Sequence, residues 1–272
     1  MKVGIYVNTL KENSYKTSSK LIKCLDANNV SYLHISDDEI KNADFVMPEM
    51  DLLFALGGDG TVLRIAKHCA QKNIPIIGIN IGTVGFLTEI EPDEIEKVIP
   101  LLITNQYDIE KRTMLEFVYN GESYLALNDV VVSKASNYRL LLMELYINNE
   151  IVDKYYCDGY IVSTPTGSTA YSLSAGGAII SPQTNALALT PINSHSLHSR
   201  PIVVDDKEIV SIKLNKINDV SVMVDGEVVF VGKIQDVEIK KSNTIATFIR
   251  LDKHNFYNKL LKKLNKWSVV DL

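Results

Sequence analysis

The segment ALGGDGTVLRIAK, Ala55 to Lys67, sets three glycines and one carboxylate at the end of an apolar run, directly before a stretch with helical spacing. Gly57, Gly58 and Gly60 let the backbone approach a bulky anion. The helix that follows offers unpaired N–H groups and the positive end of its dipole. That combination suits a phosphate, which a carboxylate repels. Asp59 therefore needs another task, such as accepting the proton of a hydroxyl or holding a metal ion between phosphates. The plain structural reading is a tight turn in which the glycines supply positive φ and Asp59 caps the helix. Arg64, one turn into the helix, is placed either to reach a phosphate or to be an ordinary surface arginine. The spacing fits neither G-x-x-x-x-G-K-[ST] nor G-x-G-x-x-G.

Two further clusters carry polar chemistry. Asn128 and Asp129 interrupt the apolar run YLALNDVVVSK. Two such side chains are costly to bury unpaired, so they mark a bulge or strand end, or a pair of hydrogen-bonding groups for a purine or ribose edge. The segment DGYIVSTPTGSTAYSLSAGG, Asp158 to Gly177, holds the hydroxyls of Ser163, Thr164, Thr166, Ser168, Thr169 and Ser172, with the phenol of Tyr171 beside them. Hydroxyls at a turn into a helix suit phosphate and ribose oxygens. A Ser/Thr-rich turn with helix caps does not explain why Ala170, Ala175, Gly176 and Gly177 gather there. His195 and His198 have His-x-x-His spacing but no third ligand near them, and read as structural groups rather than a metal pair.

These residues need elements to place them. Lys2–Val7, Asp51–Leu56 and Ile74–Ile79 read as buried strands, the last ending in a second glycine turn at Gly78–Gly85. Thr17–Ala27 and Pro92–Thr104 have helical spacing, as does the face formed by Val62, Leu63, Ala66, Cys69 and Ala70. Strands alternating with helices predict a parallel sheet. Beyond about residue 105 the pattern becomes one of hairpins, with turns at Asn120-Gly121, Asn148-Asn149 and Asp225-Gly226 between strands rich in Val, Ile and Tyr. His254–Trp267 is helical again, and its Lys259–Lys266 cluster reads as a solvated face. The expected organisation is an α/β domain of residues 1–104 and 253–272, joined by a returning C-terminal helix, with a β-rich antiparallel domain at 105–252.

Composition removes several classes of function. The 272 residues carry a net charge of −5, which gives no electrostatic footprint for nucleic acid. No apolar run approaches the ~18 residues of a membrane span, so no membrane association is expected. Cys24, Cys69 and Cys157 are far apart and lack Cys-x-x-Cys spacing, which predicts neither a disulfide framework nor a zinc site and places the chain in a reducing cytoplasm.

Taken in order, GGDGT at Gly57–Thr61, GINIGTVGFLTE at Gly78–Glu89, NDVVV at Asn128–Val132, DGYIVSTPTGSTAYSLSAGG, HSLHSRPIVV at His195–Val204, VDGE at Val224–Glu227 and KLNKW near the C-terminus resemble the bacterial NAD kinase family. GGDGT alone is shared with lipid kinases; the STPTGSTAYSLSAGG run is the specific part. The resemblance implies a Rossmann-like N-terminal domain followed by an antiparallel β domain. It implies an enzyme that phosphorylates the adenosine 2′-hydroxyl of NAD to give NADP, with NADH as a further acceptor. ATP or inorganic polyphosphate would be the donor, accompanied by a divalent ion, Mg²⁺, for which no protein ligand is assigned. Asp59 is then the general base, and Gly57, Gly58, Gly60 and Arg64 border the phosphates. Asn128, Asp129, Tyr156, Asp158, Thr166, Thr169, Ala170, Tyr171 and Ser174 are then nucleotide contacts, some reached from a neighbouring subunit of a homotetramer. Two positions depart from the family pattern: Tyr156 stands where many members have Arg, and Glu227 where many have Gln. The alternatives are a GGDG-type lipid kinase, which needs an apolar groove, and a non-catalytic dinucleotide sensor, which has no need of Asp59.

Overall fold

A computed structural model describes residues 1–8, 13–42, 44–82, 85–135, 140–196, 198–214, 219–251 and 255–268. Thr83 and Val84 of the second glycine turn, and Leu197 between the two histidines, lie outside the described residues. The chain forms two compact units, Met1–Lys111 with Ala246–Leu272, and Arg112–Ile245.

The first unit begins β1 (Lys2–Val7), α1 (Ser14–Ala27), β2 (Ser31–Ile35), α2 (Asp37–Lys41), β3 (Leu52–Gly57), α3 (Asp59–Gln71), β4 (Ile76–Asn80), β5 (Thr88–Ile90) and α4 (Ile95–Ile103). The strands run parallel in the order β2-β1-β3-β4, as the strand–helix alternation predicts. β3 is buried at every position, because helices cover a parallel sheet on both faces and leave no solvated side to alternate with. In α3, Val62, Ile65, Ala66, Cys69 and Ala70 are buried at i, i+3, i+4, i+7 and i+8. Ile65 takes the inward place expected for Leu63. α4 starts three residues beyond Pro92, which lies in the preceding turn. Leu21 and Leu25 of α1 and Val98, Ile99 and Leu102 of α4 join Val3, Phe54 and Ile77 in one core.

The second unit is built from most of β6 (Asp108–Tyr119, of which 108–111 belong to the first unit), β7 (Glu122–Ala126), β8 (Asp129–Lys134), β9 (Leu141–Ile147), β10 (Glu150–Cys157), β11 (Gly159–Ser163), a 3₁₀ turn at Gly167–Thr169, α5 (Tyr171–Ser174), β12 (Ala186–Ile192), β13 (Ile202–Asp205), β14 (Val210–Leu214), β15 (Asp219–Val224), β16 (Glu227–Lys233) and most of β17 (Asp236–Arg250). All three expected hairpins are present, between β6 and β7, β9 and β10, and β15 and β16. One antiparallel sheet has the order β13-β12-β11-β8-β15-β16; β10, β9, β14 and the start of β17 form another antiparallel array. Inward residues of both, among them Val130, Val162, Leu189 and Val222 on one side and Met143, Leu145, Ile212 and Val237 on the other, make a single apolar core.

The chain re-enters the first unit within β17, where Phe248 pairs with Ile76 in parallel, and ends in α6 (Asn255–Ser268). The expectation of a solvated lysine face on α6 is corrected at Lys259, which is 8% exposed, and at Lys263, whose ammonium is paired. A local pattern of lysines cannot reveal acceptors contributed by residues far away in the chain. Among the described residues no helix is long and apolar enough to cross a membrane.

Candidate functional site

In the first unit the glycine corner lies at the carboxyl end of β3, the position where open parallel sheets bind ligands. None of Gly57, Gly58 and Gly60 has positive φ, which corrects the turn-conformation reading of the three. Gly57 is required by proximity instead: a Cβ there would lie 2.0 Å from the Thr61 hydroxyl oxygen. A Cβ on Gly60 would meet nothing within 4 Å, so that side of the corner is open.

Asp59 does not cap its helix. Its Oδ1 accepts the Leu87 N–H at 2.9 Å and its Oδ2 the Phe86 N–H at 2.9 Å, while Lys263 Nζ of α6 donates to Oδ2 at 3.3 Å. A carboxylate offers about four lone-pair positions, so these three donors leave one for an incoming hydroxyl. A Cβ on Gly85 would sit 2.2 Å from Asp59 Oδ1, which makes that glycine a condition of the contact. Lys263 also lies 4.2 Å over the Phe86 ring. Its positive charge offsets the repulsion between Asp59 and a phosphate.

Segment 86–89 is itself held from behind. Arg250 Nη1 donates to the Leu87 carbonyl at 3.2 Å and Lys259 Nζ to the Thr88 carbonyl at 2.6 Å. Glu89, its side chain 1% exposed, accepts from Arg250 at 3.2 Å, Lys259 at 3.1 Å and the Leu251 N–H at 3.0 Å. Arg250 Nε also donates to Glu110 at 2.6 Å. Two cations and two carboxylates thus balance beneath the segment that presents its N–H groups to Asp59 as it enters β5. Burial pulls the Lys259 ammonium below its ordinary range, and Glu89 opposes that pull. Arg64 is committed elsewhere: it pairs with Asp37 at 3.7 Å, and Asp37 also accepts the Tyr6 hydroxyl, whose pKa burial and Asp37 push up.

In the second unit the apolar run breaks where the two polar residues stand: β7 ends at Ala126 and β8 begins at Asp129. The hydroxyl-rich turn closes on this break. Thr164 donates its N–H to the Asn128 carbonyl at 2.8 Å and its hydroxyl to the Leu127 carbonyl at 2.6 Å. A Cβ on Gly167 would lie 2.2 Å from the Asn128 carbonyl oxygen, so only glycine fits there. Thr166, buried, accepts from Arg112 Nη1 at 3.0 Å, and Thr169 donates its hydroxyl to the Thr166 carbonyl at 3.2 Å. On the other side of the break, Asp225 accepts the N–H groups of Leu127, Asn128 and Asp129 at 2.8, 2.7 and 3.2 Å. Among the described residues none bonds the side-chain amide of Asn128 or the carboxylate of Asp129. Burial, reinforced by the charge of Asp225, pushes the Asp129 carboxyl up to about 7. Burial raises Asp225 as well, and its three N–H donors oppose that rise.

The remaining residues lie apart from this group. Ser163 pairs with Asp129 and Gly159 with Ser133, so Asp158 stands at the far end of β8, about 20 Å along the strand from Asn128. Asp158 is bound by Lys134 at 2.6 Å and by the Asn193 amide at 3.1 Å; these hold its pKa below the usual carboxylate range, with Lys134 the larger cause. β10 ends at Cys157, so strand alternation does not carry from Tyr156 to Asp158, as a shared face requires. Tyr156 is 56% exposed and Tyr171 43%. Ala170 precedes α5, and Ser174, exposed, ends it. His198 Nε2 lies 3.5 Å from Asp153, and among the described residues no three His, Cys, Asp or Glu side chains gather as a metal site.

Asp225, Lys263 and Lys134 lie within motif segments whose patterns give them no role at the site, and Asn193 and Arg112 lie outside every motif. Asp225 reads as half of a hairpin turn, and the other four reach motif residues from positions distant in sequence or with no periodic relation to them.

Residues 35–107 match the ATP-NAD kinase N-terminal domain and residues 127–251 the ATP-NAD kinase C-terminal domain. An NAD kinase of Caldicellulosiruptor saccharolyticus is 38% identical over 267 residues, 98% of this chain and 100% of that protein. The crystal structure of yeast NADH kinase complexed with NADH is similar with a TM-score of 0.87 at 25% identity, covering 100% of this chain and 89% of that one. That of an NAD kinase from Archaeoglobus fulgidus in complex with ATP has a TM-score of 0.79 at 25% identity, with 97% and 99% covered. The likeness in sequence runs through both units and the likeness in fold spans the whole chain: it belongs to the NAD kinase family.

Proposed function

We infer that this chain phosphorylates the 2′-hydroxyl of the adenosine ribose of NAD to give NADP. The observation that carries the reading is the Asp59 carboxylate, turned from its own helix and held by two backbone N–H groups and Lys263 with one lone-pair position left. In the transfer, Asp59 accepts the 2′-hydroxyl proton while that oxygen forms its bond to the terminal phosphorus of the donor. The bond from phosphorus to the bridging oxygen breaks, and ADP leaves when ATP is the donor. Such a transfer needs alignment and charge neutralisation more than covalent help.

The donor is ATP, with inorganic polyphosphate as the second candidate. We take the accompanying cation to be a Mg²⁺ ion carried on the donor's phosphates, with Asp59 as the carboxylate nearest to hand at the corner. Its charge would neutralise the phosphate oxygens. Asn128 and Asp129, with backbone satisfied and side chains unpaired among the described residues, take the dinucleotide. Asp158, at the far end of β8 from Asn128, and the exposed Tyr156 are then the residues that a neighbouring copy would use to complete the nucleotide site in the homotetramer that the resemblance implies.

The test is incubation with Mg²⁺, ATP and either NAD or diacylglycerol. NADP is the expected product, and a phosphorylated lipid in its place contradicts the reading.

Tyr156 sets the expected acceptor range. The oxidised nicotinamide ring is cationic and the reduced ring neutral. A tyrosine in place of a permanent cation removes a charge and adds a stacking face. NADH should therefore be phosphorylated detectably as well as NAD, and Tyr156→Arg should shift the ratio of kcat/KM for the two. Inactivity toward NADH, or an unchanged ratio in the variant, removes Tyr156 from the nucleotide site.

A further inference from the structure

We propose that Asp225 is a positioning residue of the dinucleotide site: by gathering three consecutive backbone N–H groups it fixes the segment from which Asn128 and Asp129 reach the nucleotide. This assignment rests on the NAD kinase reading and goes beyond it, to a residue that touches no ligand.

Asp225-Gly226 is the two-residue turn between β15 and β16, with φ of 50° and 83°. Positive φ at both positions is the type I′ geometry that hairpins favour, and Asp-Gly is a common sequence for it. A turn aspartate usually faces water. Here it is partly buried, and both carboxylate oxygens are engaged, Oδ2 by Leu127 N–H at 2.8 Å and Oδ1 by Asn128 and Asp129 N–H at 2.7 and 3.2 Å. The main chain of Asp225 returns a bond, its N–H donating to the Asp129 carbonyl at 3.0 Å.

The need for such a residue follows from the break between β7 and β8. Leu127 and Asn128 belong to neither strand, so their N–H groups have no ladder partners, and buried donors left unpaired are costly. The carbonyl side of the same segment is held by Thr164, and also by the Ser163 hydroxyl at 3.3 Å from the Asn128 carbonyl. Asp225 completes the accounting on the N–H side. With every backbone group from 127 to 129 tied down, the two side chains project from a fixed base and remain unpaired among the described residues. That is the arrangement expected of groups preorganised for a ligand.

The decisive variant is Asp225→Asn. Asn-Gly forms the type I′ turn as well as Asp-Gly does, so the hairpin is preserved. The amide keeps one acceptor oxygen and sets an NH₂ against the other N–H donors. The chain is assayed with Mg²⁺-ATP and NAD, and NAD binding is titrated by calorimetry. The expected result is a folded protein whose NAD dissociation constant rises about ten- to hundredfold, with KM for ATP nearly unchanged. In an Asn128→Ala background the same change should cost less than it does in wild type, because Asp225 acts through that segment. Unchanged NAD affinity, an equal rise in KM for ATP, or full additivity with Asn128→Ala overturns the proposal. If Asp225→Asn does not fold, Asp225→Glu keeps the charge, displaces it by one methylene and should show the same NAD-selective loss. Loss of fold in both variants makes Asp225 a frame residue and overturns the proposal. Absence of NAD binding and NADP formation in the wild-type protein is a separate result that rejects the kinase reading itself.

Discussion

Replacing Asp59 by Asn should lower kcat by about 10²–10⁴-fold, the range typical of a lost general base. The surroundings of Asp59 sharpen what must be measured with it. Its carboxylate also accepts from Phe86, Leu87 and Lys263, and asparagine keeps only one acceptor oxygen for three donors. The variant therefore loses some local order as well as its base. Calorimetry with NAD separates the two effects. A large fall in kcat with an almost unchanged NAD dissociation constant identifies the base. Equal losses in binding and turnover identify a positioning role, and near-normal kcat removes Asp59 from the chemistry.

Glu89→Gln should produce the largest loss of stability. Glu89 faces both Arg250 and Lys259 with its side chain 1% exposed, and Glu110 is the second carboxylate of the group. Removing the Glu89 charge leaves two buried cations against one carboxylate, a change that costs about 3–5 kcal/mol when a buried pair is broken. Urea unfolding should show an earlier transition in the first unit. Because Arg250 and Lys259 also hold the carbonyls of Leu87 and Thr88, kcat should fall with stability while NAD affinity stays close to wild type. Wild-type stability in the variant would show that the network does not hold the strand beneath Asp59.

The parts legible in the sequence are those set by local spacing. The apolar run ending in Gly57, the helical face after it and three two-residue turns each specify an element from a few neighbouring residues, and the elements formed as read. The break at Asn128 was also visible, since two polar residues cannot continue a buried strand without partners. What stayed hidden depends on contacts between distant residues. Asp59 looked like a helix cap because the nearest donors in sequence are its own helix's N–H groups; its donors come instead from residues 86, 87 and 263. Lys259 and Lys263 looked solvated because lysines at helical spacing usually are, and the carbonyls and carboxylates that draw them inward lie about the glycine corner and β5. Asp225 looked complete as a turn residue, and its turn is real; its second role appears only when the segment 127–129 is laid against it. Arg64 could be read either way, and in the fold it is paired with Asp37.

The central claim is that this chain moves a phosphoryl group onto NAD, and NADP formation tests it most directly. Purified wild-type protein is incubated with NAD, Mg²⁺ and ATP, NADP is read with an NADP-specific dehydrogenase, and NAD binding is titrated on the same preparation. The account predicts NADP in proportion to ATP consumed, saturating with NAD and lost in Asp59→Asn. NAD binding without any NADP, from ATP or from polyphosphate, would make the chain a dinucleotide sensor and contradict the account.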